Sequence, residues 1–195
     1  MEPITRWQEQ TFALKTLSVG GGFVGTTRAK DYEQIARFMG LFGLDFADSN
    51  GKPYSYCAAG VAYAACKAWA FLHTPQLATD PASLRLYKDN VAAHYFLPSA
   101  SCRVMIEDAK SRGIWERRGQ IAPGEASPGW FVFYDWQGDG TADHVEIVRA
   151  SNPQELRTIG FNTTEPGRDG AQGNGGAVAR RVRAYDKVFG YIKLY

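Results

Sequence analysis

The sequence predicts an α+β domain in which helices come first and an antiparallel sheet follows. Two observations carry this. Between about residues 30 and 114 apolar residues recur at helical spacing, whereas from Trp130 onward they form short aromatic and β-branched runs separated by turn signals. A chain of 195 residues, 45% hydrophobic and 13% aromatic, is also long and apolar enough for one full core.

Each element has its own signal. The run Gly20-Gly21-Gly22 separates the N-terminal segment from a helical stretch around residues 30–42, and a loop over 45–53 follows. The next helix starts near Cys57 and runs to about Leu72, with Cys57, Val61, Ala64, Ala68 and Phe71 on one core-facing stripe. Ala58, Ala59, Gly60, Ala62 and Ala65 let its backbone approach neighbours closely. Pro81, behind an Asp80 cap, opens a helix to about Tyr95, and another spans about 101–114. Strands are expected over 130–136 and 144–150, on either side of the hairpin signal Gln137-Gly138-Asp139-Gly140. Further strands fit 156–162, 177–183 and 188–194, with a Gly-rich loop over 167–176.

Composition excludes several function classes. A net charge of +2 is too small for a nucleic-acid binder, and no apolar run reaches membrane-spanning length. Three cysteines give no disulfide framework; Cys57 and Cys66, nine apart on one helix, point to opposite faces. Residues 1–17 mix Glu2, Arg6, Glu9 and Lys15 among apolar residues and lack a signal peptide's order. The protein is therefore expected to be made in the cytoplasm and delivered without a cleaved leader.

Cys57 is the most informative residue. It lies where the loop Lys52-Pro53-Tyr54-Ser55-Tyr56 turns into the Ala-rich helix, and Ser55 is placed to cap that helix. Unpaired N–H groups and the dipole at a helix start favour the thiolate, the nucleophilic form. A small buried apolar residue fits the same position. A nucleophile needs a base, and three histidines are available. His73 is sixteen residues along the same helix, roughly 24 Å away. His94 falls late in its helix, where a packed histidine is the default. His144 opens the second hairpin strand at the edge of a cleft, and is the favoured base. Asn162, ending the following strand, is placed to accept from the other ring nitrogen; an Asn starting a turn fits it equally.

These residues carry a resemblance. Tyr54-Ser55-Tyr56-Cys57-Ala58-Ala59-Gly60-Val61, then Ser127 to Trp136 with Gly138-Asp139-Gly140 and Asp143-His144-Val145, then Thr158-Ile159-Gly160-Phe161-Asn162-Thr163, are similar to the three blocks of a CHAP domain. That is the cysteine- and histidine-dependent amidohydrolase/peptidase branch of the NlpC/P60 papain-like superfamily. The tail over 175–183 and 188–192 resembles the family's last two strands. The likeness covers residues 45–195; residues 1–42 form a partly helical extension, and the domain over 43–195 carries a helical insertion at about 73–120.

The resemblance implies a papain-like fold, with the nucleophile helix on an antiparallel sheet, and hydrolysis of amide bonds in bacterial peptidoglycan. Cys57 would be the nucleophile, His144 the base and later the acid, and Asn162 the orienter. Tyr54, Tyr56 and Trp136 would lie on the substrate and oxyanion side, with the Cys57 N–H helping to bind the oxyanion. No cofactor is expected. Three positions depart from the pattern. Many members carry Glu where this chain has Gly160, the acid usual after Pro-Gly is here Trp130, and the small residue usual two after the His is Glu146. On a strand Glu146 shares a face with His144, so it either perturbs that imidazole or is solvated.

Asp135, Gln137, Asp139 and Glu146 have nearly the spacing of a calcium loop, although flanking helices are missing and a hairpin turn explains the same residues. Asp45, Asp48 and Asn50 read as a solvated turn. Arg180, Arg181 and Arg183 read as a solvated basic face, or one touching an anionic cell wall. Three functions compete: a peptidoglycan amidase or endopeptidase, acting at the wall as a phage lysin or a secreted effector with a cognate immunity protein; a cytoplasmic cysteine amidase acting on a small amide; and a non-catalytic wall-binding module.

Overall fold

The computed structural model describes residues 6–77, 81–164 and 175–194. A central helix, α3 (Cys57–His73), organises the fold. Every residue from Cys57 to Cys66 on it is buried, as a helix covered on all sides requires. Helices α1 (Arg6–Gly21), α2 (Tyr32–Gly40) and α4 (Pro81–His94) pack against it, and the sheet packs on another side. The Asp80 cap expected before α4 lies outside the described residues, as does most of the Gly-rich loop.

The glycine run does not end the N-terminal segment as expected: α1 continues through Gly20 to Gly21. A Cβ at Gly20 would stand 2.8 Å from Ile147 Cδ1, so this glycine serves close approach of helix to sheet rather than a break. Residues 25–28 then run along a sheet edge. Gly25 N–H donates to Val178 O at 2.9 Å, and Arg28 N–H to Gly176 O at 2.7 Å. Phe12, Ile35 and Phe38 share one core with α3 and the sheet, which ties residues 6–42 to the rest.

Helix α5 (Cys102–Ser111) opens with the Ser101 hydroxyl accepting from Val104 N–H at 3.5 Å. It ends short of the expected position and leads into β1 (Trp115–Arg117), a strand too short to show alternation in sequence. The other strands are β2 (Phe131–Tyr134), β3 (His144–Ser151), β4 (Leu156–Thr163), β5 (Ala177–Arg183) and β6 (Val188–Ile192). They form an antiparallel six-stranded sheet ordered β1-β6-β2-β3-β4-β5. Alternation divides it. Val145, Ile147, Ile159 and Phe161 face the helices, while Val132, Tyr134 and Val148 join a second cluster on the far face. No helix among the described residues is long and apolar enough to cross a membrane.

Candidate functional site

Cys57 is the first residue of α3. The N-cap is Tyr56, without a side-chain cap, so Ser55 does not play the capping role expected of it. Its hydroxyl instead lies 3.5 Å from the Cys57 sulfur. The thiol is only 5% exposed. The helix start turns unpaired N–H groups and the positive dipole end toward it. Two further side chains reach the sulfur, His144 and Cys102. The Cys102 hydrogen bond holds the Cys57 thiol well below the ordinary range; burial opposes this, and His144 and Ser55 add to the lowering. The same contact pushes Cys102 up, and of the two thiols it is Cys57 that also has the His144 imidazole beside it.

Cys102 carries no local signal in the sequence: it opens α5 as Cys57 opens α3, 45 residues apart in the chain, and only the tertiary fold brings the two thiols together. Cys66, deep in α3, does fit a structural part: burial pushes it up to about 12. Alkylation of Cys57 by iodoacetamide, mapped by mass spectrometry, is expected to be fast already at about pH 6. Cys102→Ala should move that rise to higher pH and slow the reaction at pH 6 about tenfold, the worth of one hydrogen bond to a charged sulfur. An unchanged profile would reduce Cys102 to packing.

His144 is where the hairpin signal puts it, at the first position of β3, paired with Tyr134. Burial alone would lower its pKa. Hydrogen bonds to Cys57 and Glu146 outweigh burial and push it up to about 9, the direction that favours an imidazolium beside the sulfur. The ring's other partner is not Asn162. His144 Nε2 meets Glu146 Oε1 at 3.1 Å, which leaves Nδ1 for the thiol. Glu146 is wholly buried, not solvated, and Thr158 Oγ1 donates to its Oε2 at 2.5 Å. Despite burial, hydrogen bonds from His144 and Arg183 hold its carboxyl well below the usual range.

Glu146 and Gly160 were noted as separate departures from the family pattern, but they are cross-strand partners between β3 and β4. A Cβ at position 160 would stand 2.5 Å from Glu146 Oε1. The carboxylate thus fills the space a side chain on β4 would take.

Asn162 is placed differently from its expected role. It adopts φ 55°, a left-handed conformation that Asn tolerates, where the β4–β5 register shifts. Its Nδ2 donates to Ser55 Oγ at 2.9 Å, and its Oδ1 accepts from Arg28 at 2.8 Å. Asn162 therefore braces the hydroxyl beside the thiol instead of facing the imidazole. Arg28 went unremarked in the sequence because the pairing of residues 25–28 with β5 brings it there. Tyr54 is exposed, but Tyr56 is fully buried against Phe38 and under Arg28, and is not presented to a substrate. Trp136 stacks on Tyr134 at 4.7 Å, its ring 6.3 Å from that of His144. His73 and His94 both stack on Trp69, at 4.0 and 5.1 Å, away from this cluster.

The four residues of the calcium-like spacing do not converge. Asp135 accepts backbone N–H groups from Gly138, Asp139 and Gly140 at 2.6, 3.2 and 2.8 Å, as the anchor of a tight hairpin turn. Glu146 is turned into the sheet and held by His144, Thr158 and Arg183. Thermal unfolding is expected to be unchanged in chelator; a loss of stability with full recovery on added calcium would reveal a metal loop here.

What the arrangement can do is carry a proton and a covalent bond: an ionised sulfur at a helix start, an imidazolium against it, and a buried carboxylate fixing the ring. No family model, curated protein or solved structure matches the chain.

Proposed function

We propose that the protein is a cysteine hydrolase that cleaves an amide bond of bacterial peptidoglycan, built as a CHAP-like member of the papain-like NlpC/P60 fold. The observation that carries the reading is the continuous chain from the Cys57 thiol through His144 to Glu146. Such a chain has no packing purpose that apolar residues would not meet better, since burying three ionisable groups is costly.

In this reading the Cys57 thiolate attacks the carbonyl carbon of the amide, and the oxyanion that forms faces the first N–H groups of α3. His144 gives its proton to the departing amine nitrogen, leaving a thioester on Cys57. His144 then takes a proton from water, which attacks the thioester and frees the thiol. Glu146 keeps the ring turned and offsets its charge in both halves.

The narrow exposure of the sulfur favours a slim acyl chain such as a peptide stem over a globular substrate. It also suits the second reading, a small cytoplasmic amide. Purified sacculi digested with the protein, with new ends identified by mass spectrometry, separate these. New amino termini on stem peptides mean an endopeptidase, free muramoyl lactyl groups an amidase, and intact sacculi with turnover of small amides the second reading. Intact sacculi with no turnover of any amide would favour a non-catalytic wall module. A phage lysin or a secreted effector with its immunity protein is the delivery this activity requires.

A further inference from the structure

Arg183 ends β5 in a run of three arginines over positions 180, 181 and 183 that sequence reads as a solvated basic face. Only Arg180 and Arg181 fit that reading, being exposed and half-buried; Arg183 is buried, 6% exposed, on the same side of the sheet as Glu146. Its Nε lies 3.2 and 3.1 Å from the two carboxylate oxygens of Glu146, and its second guanidinium nitrogen also donates to Oε1. That nitrogen reaches Thr163 Oγ1 at 3.2 Å as well. The planar group lies over the rings of Trp136 and Tyr134, at 5.1 and 5.8 Å from their centroids. A fork-on-carboxylate contact of this kind fixes direction as well as charge.

We propose that Arg183 is a positioning residue of the active site, which keeps Glu146 ionised and aimed at His144 and so lets the buried thiol exist as thiolate. The inference rests on the proposed hydrolase reading. Along the chain Cys57, His144, Glu146 and Arg183 the charges alternate: thiolate, imidazolium, carboxylate, guanidinium. They sum to zero only when Arg183 is counted. Without its charge, imidazolium and carboxylate already balance, and a buried cluster reaches neutrality by keeping the proton on sulfur. The other groups facing the cluster do not replace it. Tyr134 on β2 stays protonated, because burial and Glu146 push its phenol up. Thr158 and Thr163 on β4 carry no charge. Arg181, also on β5, acts on Glu146 through space without a hydrogen bond to it among the described contacts. Asp143 ahead of β3 and Cys102 on α5 supply no cation.

The test reads the charge of the sulfur and needs no substrate. The rate of Cys57 alkylation by iodoacetamide is followed against pH in the wild type, Arg183→Met and Arg183→Lys, with circular dichroism to check folding. Arg183→Met should react about tenfold or more slowly than wild type at about pH 6 and recover at alkaline pH, while Arg183→Lys, which keeps the cation, stays within about threefold. Equal profiles for wild type and a folded Arg183→Met overturn the proposal. So does a loss in Arg183→Lys as large as in Arg183→Met, because it would show that packing and not charge matters. Should Arg183→Met not fold, titration of the Glu146 carboxyl by carbon NMR in His144→Ala, where the imidazole is gone and Arg183 still bonds the carboxylate, decides. A carboxyl still ionised below about pH 3 supports the hold by Arg183, and an ordinary glutamate midpoint refutes it. If wild-type Cys57 itself behaves as an ordinary thiol, the hydrolase reading fails, and the Glu146 titration still reports on Arg183 separately.

Discussion

Replacing Cys57 with Ala is expected to lower amide hydrolysis by at least about a thousandfold while the protein stays folded. In the proposed mechanism the sulfur carries the covalent bond to the acyl group, and no neighbour is placed to take it over. Ser55 is a neutral hydroxyl that already accepts from Asn162, and burial and Cys57 push the Cys102 thiol up, away from the nucleophilic form. The fold should survive because Ala is small, suits the start of an Ala-rich helix, and leaves only a thiol-sized gap at a site largely closed by its neighbours. Release of new ends from purified sacculi, with circular dichroism on the same samples, measures both. Hydrolysis near the wild-type rate would remove Cys57 from the mechanism.

Replacing Glu146 with Gln should be nearly as severe, and by a different route. The amide has almost the carboxylate's shape, so the ring can still be contacted, but the imidazolium loses its buried counter-charge. A fall in kcat of about a hundredfold or more is expected, the usual worth of a working acid–base group. Stability should fall too, by about 3 kcal/mol or more, because the buried guanidinium of Arg183 loses its carboxylate. Denaturant unfolding and kcat are the two readouts; an enzyme that keeps wild-type kcat would show that the ring needs no carboxylate. The pairing of Glu146 with Gly160 adds a sharper variant. Gly160→Ala alone should impair catalysis by driving the carboxylate from the ring, since its Cβ would meet Oε1 at 2.5 Å. Glu146→Ala combined with Gly160→Glu should regain part of the activity, because the acid is then delivered from the neighbouring strand into the same space.

Much of the site was legible before any coordinates. A thiol at the junction of a polar loop and an Ala-rich helix, and a histidine directly after an Asp-Gly hairpin turn, are local signals. Local signals survive folding because the helix start and the turn are set by neighbours in the chain. Helices α2 to α5 and strands β2 to β6 fall close to their expected places, where periodicity runs for several residues. It failed where periodicity is short or glycine has two uses: β1 has three residues, and the glycines ending α1 allow contact with Ile147 instead of breaking the helix.

The partners of the reactive pair were not legible. Glu146 was visible as a residue on the face of His144, yet nothing in an eight-residue strand says whether that face is wet or dry. Its burial comes from the far face of the sheet, where Tyr134, Thr158 and Arg183, from three other strands, close round it. Arg183 looked like one of three surface arginines for the same reason. Asn162 ended its strand as expected, but the register shift beside it turned its side chain toward Ser55 and Arg28. By itself the sequence determined the order of elements and the two residues that meet as thiol and imidazole, because each is placed by its immediate neighbours. Only the tertiary structure decided which groups gather round them, Glu146, Arg183 and Cys102, because a charge in a protein is set by what surrounds it in space.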